Sequence, residues 1–139
     1  NLLMKKDQQI SNGPTQRQLR VGEQLRHVIT DTLARGHFHD EFLISNAGLV
    51  SISEVRVSPD MKHATAYATM IGGQNTEAAL TSLNTNADIF QKEIGRQVRM
   101  KFTPRLKFVE DTLYDSAAKI DALLHNLPKA ADNDDANNE

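Results

Sequence analysis

Between residues 89 and 109 the chain carries Lys92, Arg96, Arg99, Lys101, Arg105 and Lys107 against a single acid, Glu93. That is a local balance of +5 in a protein whose formal net charge is −2. Cations grouped this way can neutralise the phosphates of a nucleic acid and release its counterions. Other chemistry has less to work with. Cysteine is absent, which excludes a thiol nucleophile, a disulfide framework and a Cys-ligated zinc site. Ser, His and Asp are scattered, with no motif joining a nucleophile to a base and an orienting group, so no catalytic residue is assigned. His37, His39, Asp40 and Glu41 come nearest to a metal cluster, but no third imidazole stands at a ligand spacing. Neither a metal nor a cofactor is expected. His27 and His125 read as ordinary helix-surface positions.

The elements that must position these cations follow from periodicity. Val21, Leu25, Val28, Ile29 and Leu33 recur at steps of three and four, and Gly36 follows, which predicts an amphipathic helix over residues 16–35. Residues 37–48 show no sustained period and read as a loop with at most one helical turn. Residues 50–58 are rich in β-branched side chains, yet the apolar parity moves from Val50 and Ile52 to Val55 and Val57. A bulge near Ser53 or Glu54 accounts for that. Ser58, Pro59 and Asp60 make a turn, and residues 62–71 a second strand, so the two form a hairpin.

Gly72 and Gly73 end the hairpin. Residues 76–83 are helical by composition, and Asn84, Thr85 and Asn86 interrupt them. Asp88 is expected to cap a second helix, with Gln91 completing a capping box, Phe90, Ile94 and Val98 as the apolar stripe, and Thr103 and Pro104 as the stop. Leu106 and Phe108 then alternate with outward Arg105 and Lys107 in a third strand, and residues 113–127 close as a helix. The fold class is α+β, one domain over residues 16–128 within a chain of 139. A polar head, 1–15, and an acidic tail, 129–139, with Asp132, Asp134, Asp135 and Glu139, are expected to be disordered. Asn1, Leu2 and Leu3 stand before Met4 and are left out of the fold. No apolar run approaches a membrane span, which points to a soluble cytosolic protein.

Within this frame Lys92 and Arg96 each lie two positions after Phe90 and Ile94, about 200° around a helix axis. Arg99 follows three residues on, so the stripe faces away from the core. Lys101, Arg105 and Lys107 extend it along the outer side of the third strand. Arg20, Arg26, Arg56, Lys62 and His63 are secondary candidates. The competing explanation is a solvated helix face. With no Trp and few aromatics, recognition by shape and phosphate is expected rather than base stacking. Ala64, Ala66 and Ala68 allow two readings: an adaptor surface for a partner protein, or close seating of the domain's own helices.

Helix, strand, strand, broken helix pair, strand is also the K-homology-like order of several single-strand RNA binders. Four motifs sharpen it: Arg20-Val-Gly-Glu-Gln-Leu-Arg-His-Val-Ile29; Val55-Arg-Val-Ser-Pro-Asp60 followed by His63-Ala-Thr-Ala-Tyr67; Lys101-Phe-Thr-Pro-Arg-Leu106; and Ala117-Ala-Lys-Ile-Asp-Ala-Leu-Leu124. Together they resemble the ribosome-binding factor A family over residues 16–124. The resemblance implies a type II K-homology-like fold that binds the small (30S) ribosomal subunit during late maturation of its 16S rRNA and supports growth in the cold. It also implies no catalytic activity; a cytoplasmic monomer with no small-molecule substrate is expected. The alternatives are a generic structured-RNA-binding domain or the adaptor.

One motif departs from the family. Its helix-kink-helix element is marked by Ala, any residue, Gly; here the aligned positions read Asn86, Ala87, Asp88. Asn tolerates unusual backbone angles and Asp caps helices, so the kink is expected to persist. A side chain in place of the glycine is expected to hold RNA backbone further away.

Overall fold

A computed structural model of the chain describes residues 13–112. The helix expected over 113–127, the acidic tail and residues 1–12 of the head lie outside the described residues. Helix α1 (Gln16–Arg35) starts from a reciprocal cap. The Thr15 hydroxyl accepts from the Gln18 N–H at 3.1 Å, and the Gln18 side chain accepts from the Thr15 N–H at 2.9 Å. Thr15, assigned to the head by composition, is therefore the first anchor of the helix. Leu25, Val28, Ile29 and Leu33 are buried along one face.

Residues 37–48 hold more structure than expected. The Asp40 carboxylate accepts from the Leu43 N–H at 3.0 Å and caps a short helix, α2 (Glu41–Asn46), which a 3-10 turn, Ala47–Leu49, continues. Only Phe38, Leu43 and Ala47 of this stretch are buried, too few positions to set up a period.

Strands β1 (Val50–Val57) and β2 (His63–Met70) pair antiparallel, and the register slips between Ile52 and Glu54. The bulge at Ser53 keeps Val50, Ile52, Val55 and Val57 on the buried face. Their turn is tied by side chains: the Ser58 hydroxyl donates to Asp60 Oδ1 at 2.6 Å, and the Lys62 N–H donates to the same oxygen at 3.0 Å. Strand β3 (Arg105–Glu110) pairs parallel to β2, giving a sheet of order β1-β2-β3. A parallel return needs a crossover. Helices α3 (Thr76–Thr85) and α4 (Ala87–Gln97) supply it.

The core forms on one face of this sheet. Ala64, Ala66 and Ala68 of the central strand are buried within it alongside Leu25 and Ile29 of α1, so these alanines are not offered to a partner. Phe90 is wholly buried, with Phe108 edge-on at 5.1 Å and Phe38 at 5.8 Å between ring centroids.

Two expectations about α4 are corrected. Asp88 does not cap it: Asn86 stands at the N-cap, Asp88 lies inside the first turn, and no capping box forms with Gln91. The Gln91 carboxamide oxygen instead accepts the Leu106 N–H at 2.8 Å, an edge contact of β3 that draws the side chain away from the helix start. Nor does α4 run to Thr103 and Pro104. It ends at Gln97, and Val98 is extended (φ −114°, ψ 128°). A proline acts within about one helical turn of itself, and residues 98–104 are needed to carry the chain from the helix end to the start of β3.

Candidate nucleic-acid interface

Strand alternation sends Arg105 and Lys107 to the face opposite the core, because Leu106 and Phe108 are buried. The parallel register places Arg105 beside His63 and Lys107 beside Thr65, and the antiparallel register places Arg56 on the other side of Thr65. Arg56, Thr65 and Lys107 thus form one row across three strands, with the two cations roughly 10 Å apart at two strand spacings. Lys62 joins the group through its carbonyl, which accepts the Arg105 N–H at 2.8 Å. Three secondary candidates, Arg56, Lys62 and His63, are therefore drawn together with Arg105 and Lys107. Arg56 is partly engaged already. It donates to Glu54 at 2.9 Å, which raises its pKa, and lies 5.6 Å from the centre of the Tyr67 ring.

The α4 stripe holds together less well. Lys92 and Arg96 are exposed, opposite buried Phe90 and Ile94. Arg96 Nη1 donates to both carboxylate oxygens of Glu93 at 2.9 Å. The Gln97 amide first, and Arg96 after it, hold the Glu93 carboxyl below the usual range. The lone acid of the basic segment thus neutralises the middle of its stripe. Arg99 is not on the helix at all; it lies past the end of α4, in the loop that also carries Lys101. Among the described residues Lys92, Arg99, Lys101, Arg105 and Lys107 make no ion pair. Arg105 and Lys107 thus stand with the hairpin end, Lys92 and Arg96 lie along α4, and the loop between them carries Lys101 and Arg99, the latter sharing a small cleft with Arg96.

The α4 group faces a groove of about 710 Å³ shared with the end of α1 and the segment after it. Lys92, Arg96, Arg35, His37 and His39 line it, but so do Asp31, Asp88 and Glu93, and Arg35 is paired with Asp31. Its charge is mixed. On α1, Arg20 is exposed, whereas Arg26 is locked to Glu23 at 2.5 Å. That bond lowers the pKa of Glu23 and raises that of Arg26.

Asn86, Ala87 and Asp88 do form the bend between α3 and α4. Asn86 adopts φ −107°, ψ 22°, a conformation that needs no glycine. Its Nδ2 donates to the Ser82 carbonyl at 2.8 Å and to Asp40 Oδ2 at 3.1 Å, so the Asn86 side chain, not an Asp88 cap, fixes the bend. Asp40, weighed for metal, is thereby committed to α2 and to this bend.

Ser58, Asp60 and His63 meet at the hairpin, the residue types of a hydrolytic triad. Here the Ser58 hydroxyl accepts from the His63 backbone N–H at 3.0 Å and donates to Asp60, which makes a turn and aims no imidazole at the hydroxyl. One residue with a structural role escaped sequence reasoning: Asn84, read only as a helix breaker, bonds the backbone of Phe108. Among the described residues no helix is long and apolar enough to cross a membrane.

Comparison with known proteins supplies the family context. A family model described as ribosome-binding factor A matches residues 17–124. A ribosome-binding factor A from Xanthobacter autotrophicus is 40% identical over 136 residues, covering 98% of this chain and 89% of its own. One from Rhizobium leguminosarum bv. trifolii is 43% identical over 130 residues, covering 93% and 96%. The crystal structure of the Thermus thermophilus protein superposes with a TM-score of 0.55 at 21% identity, covering 67% of this chain and 94% of that one. A Thermus thermophilus model fitted into a map of a 30S complex gives 0.54 at 22% identity, covering 68% and 94%.

Proposed function

Since the chain belongs to the ribosome-binding factor A family, we propose that it is an assembly factor that docks on the free small ribosomal subunit, assists late maturation of 16S rRNA and supports growth in the cold. It acts in the cytoplasm as a monomer, by binding alone, with no catalytic step, small-molecule substrate or cofactor. The fold is K-homology-like of type II. In support, a helix, a hairpin, a bent helix pair and a strand returning parallel beside β2 follow one another in that order.

The observation that carries the reading is the gathering of unpaired cations from separate elements. Lys62 from the hairpin end meets Arg105 and Lys107 of β3 at one end of the sheet, with Arg99 and Lys101 in the loop that enters β3, and none of the five makes an ion pair among the described residues. Phosphates are the natural counterpart of such a surface. Lys92 and Arg96 on α4 add a second contact, weakened by Glu93. A homology model of a Thermus thermophilus relative, fitted into a map of a 30S complex, supports the choice of partner.

Co-sedimentation with separated ribosomal particles tests this. The protein is expected in the small-subunit fraction and absent from large subunits and intact ribosomes. Deletion of its gene is expected to leave precursor 16S rRNA in small-subunit particles, more so in the cold. Equal association with every particle would contradict the assignment and favour a generic RNA-binding domain.

A further inference from the structure

Of the five phenylalanines, Phe38, Phe90 and Phe108 are buried and Phe42 packs against the core, while Phe102 is 59% exposed. An aromatic ring left in water forgoes the stabilisation that burial gives. Its surroundings suggest what covers it. No acidic residue occurs from 94 to 109, and Arg99, Lys101 and Arg105, which flank Phe102 in the sequence, make no ion pairs among the described residues. The Lys101 ammonium lies 5.6 Å from the ring centroid.

The loop bearing Phe102 is anchored on both sides of it. Val98 and Met100 pack against the core, Pro104 is wholly buried, and the Arg105 N–H is bonded to Lys62. Thr103 seats against α4 at Gly95, where a Cβ would stand only 3.0 Å from its hydroxyl oxygen. Residues Val98, Arg99 and Met100 of the same loop border a cleft of about 380 Å³. The ring is thus held out from a fixed base and not carried on a free tip. Among the described residues the other large exposed apolar side chains, Leu19, Ile44, Leu49 and Ile71, are aliphatic and offer no π-face.

We infer that Phe102 is a stacking platform for an unpaired RNA base, with Arg99, Lys101 and Arg105 holding the phosphates to either side. Base stacking on an aromatic ring tolerates any base, because every base has a π-face, and adjacent cations track the backbone. This departs from the expectation of shape and phosphate recognition alone, and it rests on the RNA-binding reading above.

The test compares binding of a short fluorescent oligoadenylate and an RNA duplex of the same length, by anisotropy, to the full chain and three variants. Phe102→Ala is expected to lose about tenfold or more in affinity for the single strand, with little change on the duplex and an unaltered salt slope. Phe102→Trp should retain wild-type affinity, and Phe102→Leu, similar in apolar character but without a π-face, should not. Circular dichroism checks that each variant is folded. If Phe102→Ala binds the single strand like wild type, or Phe102→Leu restores it, stacking is overturned while steep salt dependence on either RNA leaves the wider reading standing. If the wild-type chain binds neither RNA, both fall.

Discussion

Asn84 treats Phe108 as a neighbouring strand would: its side-chain oxygen accepts the Phe108 N–H at 2.8 Å, and its amide donates to the Phe108 carbonyl at 2.9 Å. β3 is one of the two edge strands of the sheet, and its unpaired edge would otherwise be a template for association. With Gln91 on Leu106, two helix carboxamides close that edge. Replacing Asn84 with Ala removes two hydrogen bonds and is expected to lower the unfolding free energy by about 1–3 kcal/mol, read by urea denaturation. Light scattering should also rise in the variant. Unchanged stability would mean that water replaces both bonds without loss.

Gly22 is buried in α1 where the helix meets β1, and a Cβ there would overlap the Val55 carbonyl oxygen. Gly to Ala in a helix interior ordinarily gains about 1 kcal/mol. Here the colliding atom is backbone, so the helix must shift off the sheet. Gly22→Ala is expected to cost a net ~1–3 kcal/mol by overpacking, seen as a lower melting temperature. A stabilised variant would show that α1 has room to move.

Asp40 and Asp60 make the fold acid-sensitive. The Leu43 N–H, followed by the Ser82 and Asn86 side chains, holds the Asp40 carboxyl below its ordinary range, and the Ser58 hydroxyl, then the Lys62 N–H, does so for Asp60. A carboxyl whose folded pKa lies below its unfolded value, about 3.9, contributes fully above that pH and loses its contribution as pH falls through the folded value. Melting temperature should therefore drop below about pH 4. The drop should be smaller in an Asp40→Asn, Asp60→Asn double variant, since neither Asn titrates. Parallel curves for the two proteins would contradict this.

Glu93 restrains Arg96, so Glu93→Gln should release it. Affinity for small subunits is expected to rise by roughly severalfold, less than tenfold, with a steeper salt dependence. Both side chains are on the surface, where such pairs add little, so stability should not change measurably. Reduced affinity would show instead that the Glu93–Arg96 pair presents the guanidinium in its working orientation.

Much of the architecture was legible because periodicity reports burial. Helix α1, the bulge at Ser53, the hairpin and the in-out alternation of β3 all follow from which residues are apolar. The short helix α2 was hidden, since its sole strong signal is the single cap Asp40. The end of α4 was misplaced because Pro104 is a conspicuous stop, whereas the actual end at Gln97 is set by the path the chain must take to β3. Of the candidate interface, the cations themselves were visible, but their availability was not. That Arg96, Arg26 and Arg56 are paired while, among the described residues, Arg99, Arg105 and Lys107 are not depends on rotamers and on strand register. Asn84 and Gln91 looked like local helix residues, and their partners lie 24 and 15 positions away.

The proposed docking on the small subunit turns on cations at one end of the sheet neutralising ribosomal phosphates. Its most direct test is the salt dependence of co-sedimentation with free small subunits, compared between the wild-type chain and an Arg99→Ala, Arg105→Ala, Lys107→Ala variant. Each phosphate left without its cation should reduce the log-log slope by about 0.7–0.9, so the variant should be shallower by roughly two to three and bind more weakly at low salt. A variant of native circular dichroism that keeps both the wild-type slope and the wild-type affinity would contradict this mechanism.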